Sequence, residues 1–340
     1  MFGSFRFVLA LLVVVTHLSH FSWPGIYAVF GFYLISGYLM CLVMNQRYGF
    51  SLVGLRGYLT NRFLRIYPPY WVACIASAVL IAALGQPAAA VFWGPWQVPP
   101  TAMDWIDNLL IITLPMGADE NRLVPAGWAL RVELFYYAAI ALGLGRGPRI
   151  AIVWVLGGVV YHAFLFHTGA EWSAKYFPIA AASLPFSLGA LLYHFRESIG
   201  ARLRGRSDVL VAISIVWLFN MVYSPMAVGT VLGPIRFYLN LACVATIAAA
   251  LCMRTIESRR LRALDTRLGD LAYPIYLLHM QVGLAVSNSG LLPGAKTPML
   301  IMVSLLPILF ASWLVVRFVG DPVENLRRTV RSRFAVPPGT

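Results

Sequence analysis

Residues 5–22 read FRFVLALLVVVTHLSHFS, an apolar run with an arginine at its start and a histidine eleven residues later. At about 100° per residue, eleven steps return a helical side chain to within roughly 20° of its starting direction, so Arg6 and His17 share one face. A rise of about 1.5 Å per residue separates them by roughly 16 Å, which puts one at a membrane surface and the other well inside the hydrocarbon. Ionisable groups are costly there and usually face a partner or a cavity, so the pair marks a candidate site.

The rest of the chain supports that setting. Of 340 residues, 60% are hydrophobic and only 11% charged, with mean hydropathy +0.75, more apolar surface than one soluble core can hide. The fold class read from this is an all-α integral membrane protein, a bundle of about ten transmembrane helices with a cytoplasmic amphipathic helix. Residues 1–326 are expected to form a single transmembrane domain, and 327–340 a short basic cytoplasmic tail. No small-residue cleavage site follows the first run, so it is read as a retained helix. Cys41, Cys74, Cys243 and Cys252 lie in apolar runs without ligand-type spacing and are read as small buried hydrophobes, with no metal expected.

Spans of suitable length fall at 5–22, 26–45, 67–85, 127–144, 150–168, 176–195, 208–224, 236–253, 270–289 and 297–317. The net charge of +13 is informative through its distribution rather than as a sign of nucleic-acid binding. Twenty Lys and Arg residues fall in the segments on one side of these spans and four on the other, alternating loop by loop. By the positive-inside bias, both termini are expected in the cytoplasm, the membrane being a bacterial inner membrane.

Two connecting segments carry more than a link. Residues 51–66 interleave Leu52, Val53, Leu55, Leu59, Phe63 and Ile66 with Arg56, Arg62 and Arg65 before Pro68-Pro69, a pattern for an amphipathic helix on the cytoplasmic surface. Residues 86–126 form the longest outer loop, in which the short run Leu109 to Leu114 is expected at the outer interface and the loop as a whole as a lid.

His17 can act as a base near neutral pH if a neighbour accepts its Nδ1–H, and Glu133, in the outer half of its span, is the expected partner. A core histidine bonded to a carbonyl is the plain alternative. Arg131 is only two residues from Glu133 and points elsewhere, either snorkelling outward or meeting a substrate anion. Tyr273, Tyr276 and His279 recur every three residues and share a broad face, which is either aromatic packing or a substrate lining. Arg62 and Arg65, three apart, join Arg6 at one depth and are expected to hold phosphate, since guanidinium groups grip phosphate bidentately. His162, His167 and His194 are assigned no chemistry.

These residues fall into motifs. Arg6 and His17 match an Arg followed by ten residues and His; Phe32-Tyr33-Leu34-Ile35-Ser36-Gly37 resembles FFxxSG; and Arg62 to Pro68 resembles RxxR-I-x-P. Trp128 to Glu133 resembles Trp-Ser-Leu-x-x-Glu with Ala129 in place of the serine, and Tyr273 to His279 resembles Y-P-x-Y-L-x-H. Five in this order resemble acyltransferase family 3, integral membrane acyltransferases that commonly act on bacterial surface glycans and lipids. The resemblance implies an O-acyltransferase that takes acyl-coenzyme A, with acetyl-coenzyme A as the expected donor, from the cytoplasm and passes the acyl group to a carbohydrate or glycolipid hydroxyl. His17 and Glu133 are the implied catalytic residues and Arg6, Arg62 and Arg65 the donor-binding ones. Ser36, Arg131, Tyr273, Tyr276 and His279 would line the substrate. The lipid bilayer is the expected surrounding, and self-association is left open. A transporter of a lipid-linked sugar or a proton-coupled solute is the competing class, since it too buries ionisable groups among many spans.

Overall fold

The computed structural model describes residues 2–21, 23–114, 122–203, 205–223, 232–292 and 296–334, and every secondary-structure element among them is helical. In chain order these are α1 Gly3–Leu18, α2 Trp23–Val43, α3 Leu52–Leu84, α4 Gln86–Phe92, α5 Ala102–Leu110, α6 Trp128–Ala139 and α7 Pro148–His167. They continue as α8 Trp172–Tyr176, α9 Ser183–Leu203, α10 Ser207–Tyr223, α11 Leu232–Cys252, α12 Arg259–Ser287, α13 Pro298–Val315 and α14 Asp321–Phe334.

All ten expected spans fall on helices, but the count of ten does not hold by length and apolarity. Among the described residues six helices are long and apolar enough to cross a membrane. A seventh is added if Ile179–Leu203 and Ser207–Tyr223, bent by 113° at their junction, make one broken crossing. The shortfall has a physical reason: α1 has only 16 residues, and Asp270, His279 and Gln281 dilute the apolar half of α12. These two helices pack most extensively on each other.

Residues 51–66 do not form a separate surface helix. They are the first half of a single 33-residue helix, α3, which begins with the Ser51 hydroxyl accepting the Gly54 amide and runs straight through Pro68 and Pro69. The prolines remove two amide donors, those that would meet the carbonyls of Leu64 and Arg65, a loss that a packed bundle tolerates; the next carbonyl, that of Ile66, receives the Tyr273 hydroxyl at 2.9 Å. The run Leu109 to Leu114 is held against α3, with Leu109, Leu110 and Ile112 still exposed. Tyr67, Tyr70 and Trp71, in the middle of α3, donate to the carbonyls of Leu110, Asn108 and Leu109 at 2.5, 2.8 and 3.0 Å, and Ile111 and Leu114 are fully buried. Residues 108–110 are thereby tied to the middle of α3.

The expected tail begins as a helix: α14 packs along α3, and a Cβ at Gly57 would lie 2.4 Å from Phe334. Its residues 335–340 lie outside the described residues. The beginning of α1, Arg65 of α3 and Arg327 of α14 gather at one end of the bundle, close enough for their charges to interact.

Candidate active site

The site is built on the pairing of α1 with α12. A Cβ on Gly3 would sit 1.8 Å from the Asp265 carbonyl oxygen, and one on Gly269 would sit 2.8 Å from the Gly3 Cα, so the two helix starts approach backbone to backbone. Asp265 accepts from the Ser4 amide at 2.9 Å, the Ser4 hydroxyl at 2.8 Å and the Gly3 amide at 3.3 Å. The helices then run parallel. Four turns on, about 21 Å along both axes, the same face brings His17 Nδ1 to 2.9 Å from His279 Nε2.

That contact fixes a tautomer. His279 Nδ1 lies 3.1 Å from the Ile275 carbonyl oxygen, which can only accept, so Nδ1 carries the proton and Nε2 presents its lone pair. His17 Nδ1–H must therefore be the donor between the rings, which leaves His17 Nε2 with a lone pair and no proton. The expected bond from His17 to Glu133 is not made. Glu133 Oε1 instead accepts from the Ser36 hydroxyl at 2.5 Å and from the Tyr137 hydroxyl. Sequence spacing matched the depths of Glu133 and His17 but could not tell which helix faces α1, and α12 holds that place.

His17 lines a cavity of 430 Å³ together with His20, Trp93, Arg122, Trp128, Tyr176 and Lys296, among others. Trp93 stands edge-on to the His17 ring at a centroid distance of 5.6 Å, and its indole Nε1 is buried with no hydrogen-bond partner among the described residues. The Lys296 ammonium lies over the Trp93 ring at 4.9 Å, and burial holds it below the ordinary lysine range.

A narrow gap of 50 Å³ is lined by Arg6, Ser36, Glu133, Tyr273 and Tyr276 among its residues, and so gathers five of the ten residues singled out in the sequence. Tyr276 also lines the histidine cavity, and its hydroxyl donates to the Ala126 carbonyl at 2.6 Å. Tyr273 lines both the gap and a third cavity of 390 Å³, which also receives Arg65, Asp270, Glu324, Arg327, Arg328 and Arg331. The three cavities thus follow one another through shared tyrosines. Arg6 and Arg65 make no side-chain hydrogen bond or ion pair among the described residues, and each faces a cavity.

Two expected residues are committed elsewhere. Arg131 donates to the Leu114 carbonyl at 2.6 Å and so anchors the end of the Leu109–Leu114 run. Arg62 turns to Asn61 Oδ1 at 3.0 Å and lies over the Tyr58 ring at 5.8 Å, lining none of the three cavities. Sequence reasoning missed Tyr137, Trp93, Asn61 and the α14 arginines. Tyr137 lies four residues after Glu133, one turn along the same face, a signal that was available.

No curated protein and no solved structure matches the chain. The family model described as an acyltransferase domain, acyltransferase 3, matches residues 4–317, nearly the whole length, and carries the R-x10-H pair, the gap residues and the α12 histidine within it, so the chain belongs to the acyltransferase 3 family.

Proposed function

We propose that this membrane acyltransferase moves an acyl group, with acetyl as the expected one, from cytoplasmic acyl-coenzyme A to a hydroxyl of a carbohydrate-containing acceptor, and that His17 is the group that handles the proton. The observation that carries the reading is the 2.9 Å bond to His279, which leaves the His17 Nε2 lone pair directed away from its partner ring in a cavity of 430 Å³. The order of the cavities supports a division of labour. The arginine end suits the phosphates of the donor, the gap past Tyr273 and Tyr276 suits its slender pantetheine arm, and the thioester meets His17 beyond.

Acyl transfer needs the acceptor hydroxyl deprotonated as it adds to the thioester carbonyl, and the developing oxyanion stabilised. Nε2 of His17 takes the hydroxyl proton while His279 accepts from Nδ1–H and steadies the ring. The tetrahedral adduct collapses with cleavage of the C–S bond, and the imidazolium returns its proton to the departing thiolate. The same lone pair could instead receive the acyl group first and pass it on, with an identical overall balance. The aromatic side chains of Trp128, Tyr176 and Phe177 that line the same cavity suit the C–H groups of a sugar.

The experiment is thiol release from acetyl-coenzyme A by purified protein in detergent, with a panel of glycan acceptors and with water as the slow default. The expected result is release without any gradient, reduced about 10²- to 10⁴-fold by His17→Ala while coenzyme A still binds. A protein that moved solute only in sealed vesicles would be a transporter, and near-normal turnover by His17→Ala would remove histidine from the chemistry.

A further inference from the structure

We infer that the C-terminal helix α14, which lies beyond the residues matched by the family, forms the part of the donor site that reads the 3′-phosphate of coenzyme A, through Arg328 and Arg331, with Glu324 standing in for that phosphate until the donor arrives. This rests on the acyl-coenzyme A reading above and adds to it a recognition element and a built-in competitor.

The argument begins with how α14 is held. Asn61 on α3 is buried, and its Oδ1 accepts from Arg327 Nε at 3.3 Å and Arg327 Nη2 at 3.2 Å as well as from Arg62. Arg327 is thus a structural rivet, only 7% exposed, which locks the register of α14 against α3. Once α14 is fixed, residues 324, 327, 328 and 331 fall at helical spacing on the side facing the 390 Å³ cavity.

A single carboxylate, Glu324, then answers three guanidiniums. It lies 2.5 Å from Arg327 Nη1 and 4.0 Å from Arg328 Nε, and it bonds Arg331. Arg65 faces the same cavity without an ion pair among the described residues, and Asp321, which also lines it, is committed to Arg317 at 3.2 Å. Four arginines therefore converge on one cavity against two carboxylates that are not otherwise engaged, Glu324 and Asp270. One carboxylate cannot fill the forks of three guanidiniums, whereas a phosphate dianion offers three oxygens to them.

Position separates the phosphate groups. Along the series of cavities the thioester end is at His17 and Arg6 lies in the gap, while Arg65 lines the wide cavity close enough to Arg6 for their charges to interact. The α14 arginines line the same cavity from a separate helix, with Arg328 mostly exposed at 71% and Arg331 less so at 26%. A coenzyme A molecule whose arm points to His17 would leave its diphosphate near Arg65 and its ribose 3′-phosphate, the end farthest from the thioester, at α14. Binding moves Glu324 off Arg328 and Arg331 without disturbing the Arg327–Asn61 rivet.

The test is calorimetric titration of the full-length protein in detergent with coenzyme A and with 3′-dephospho-coenzyme A. The wild-type protein should bind coenzyme A more tightly than the dephospho form. The double variant Arg328→Ala, Arg331→Ala should bind coenzyme A about ten-fold or more weakly and bind the two forms alike, with an unchanged thermal midpoint as the check on folding. Glu324→Gln should bind coenzyme A more tightly than wild type, a gain that damage to the fold cannot produce. Retained discrimination in the double variant, or weaker binding by Glu324→Gln, overturns the inference while leaving the donor reading standing. Wild-type protein that bound neither form would overturn both.

Discussion

The two ends of α1 handle their ionisable groups in opposite ways. At the arginine end, Arg6 and Arg65 are left without ion pairs among the described residues, beside cavities, and the α14 guanidiniums outnumber the carboxylate that holds them. At the other end, His17 is held by a directional bond to a second histidine whose own proton is fixed by a backbone carbonyl. The difference follows from what each end has to do. Gripping a polyanion requires positive charge kept in reserve, since an arginine already answered by a carboxylate has its bonding capacity spent. Moving a proton requires the reverse: one nitrogen must be committed so that the other is unambiguous.

If that contrast is right, substitutions at the two ends should separate into turnover effects and binding effects. The largest after His17 itself is expected at His279. Replacing it by Ala removes the acceptor for His17 Nδ1–H and frees the ring to rotate and change tautomer. Turnover should fall about 10- to 100-fold, the scale typical of lost orienting partners, with the affinity for coenzyme A unchanged. His279→Gln should recover part of the loss because its amide oxygen can accept the same proton. Wild-type turnover by His279→Ala would reduce the histidine pair to packing and end the comparison. Arg6→Ala should show the converse pattern: a dissociation constant for coenzyme A raised about ten-fold, with turnover at saturating donor near wild type. Lysine should restore only part of the affinity, lacking the bidentate fork. A fall in turnover without a change in affinity would mean that Arg6 acts at the chemical end.

Much of this was legible in the sequence because helical periodicity is a short-range rule. The shared face of Arg6 and His17 and that of Tyr273, Tyr276 and His279 each follow from spacing within one element. What spacing cannot give is which element faces which. Glu133 and His279 were both visible as buried ionisable residues, yet only the approach of α1 and α12 through Gly3 and Gly269 decides that histidine rather than carboxylate meets His17. The same limit explains α3. A double proline reads as a helix stop, whereas α3 continues through it packed against α12, whose Tyr273 hydroxyl, 207 residues away in the chain, donates to the Ile66 carbonyl. The α14 arginines read as tail because a basic amphipathic segment and a frayed terminus have much the same composition; buried Asn61, in the first half of α3, is what makes one of them structural.

The smallest expected effect lies at the latch that sets the register of α1 on α12. Burial alone would raise the Asp265 carboxyl, but the Ser4 amide and hydroxyl and the Gly3 amide outweigh it and hold the group below the ordinary carboxylate range. A carboxyl depressed in the folded state stabilises the fold fully above its unfolded value, about 3.9, and that contribution is lost as pH falls through the folded value. Asp265→Asn keeps an acceptor of the same shape but carries no charge. At pH 7 it should cost under about 1 kcal/mol, because the latch is partly exposed and screened by solvent. The gap in thermal midpoint between wild type and variant should narrow below about pH 4, measured on both proteins in the same detergent. Turnover should stay near wild type, since the backbone contact of Gly3 with Gly269 still aligns His17 with His279. A gap that widened on acidification would mean the carboxylate is not what the latch uses, and a large loss of turnover would mean that the two ends of α1 are not separable after all.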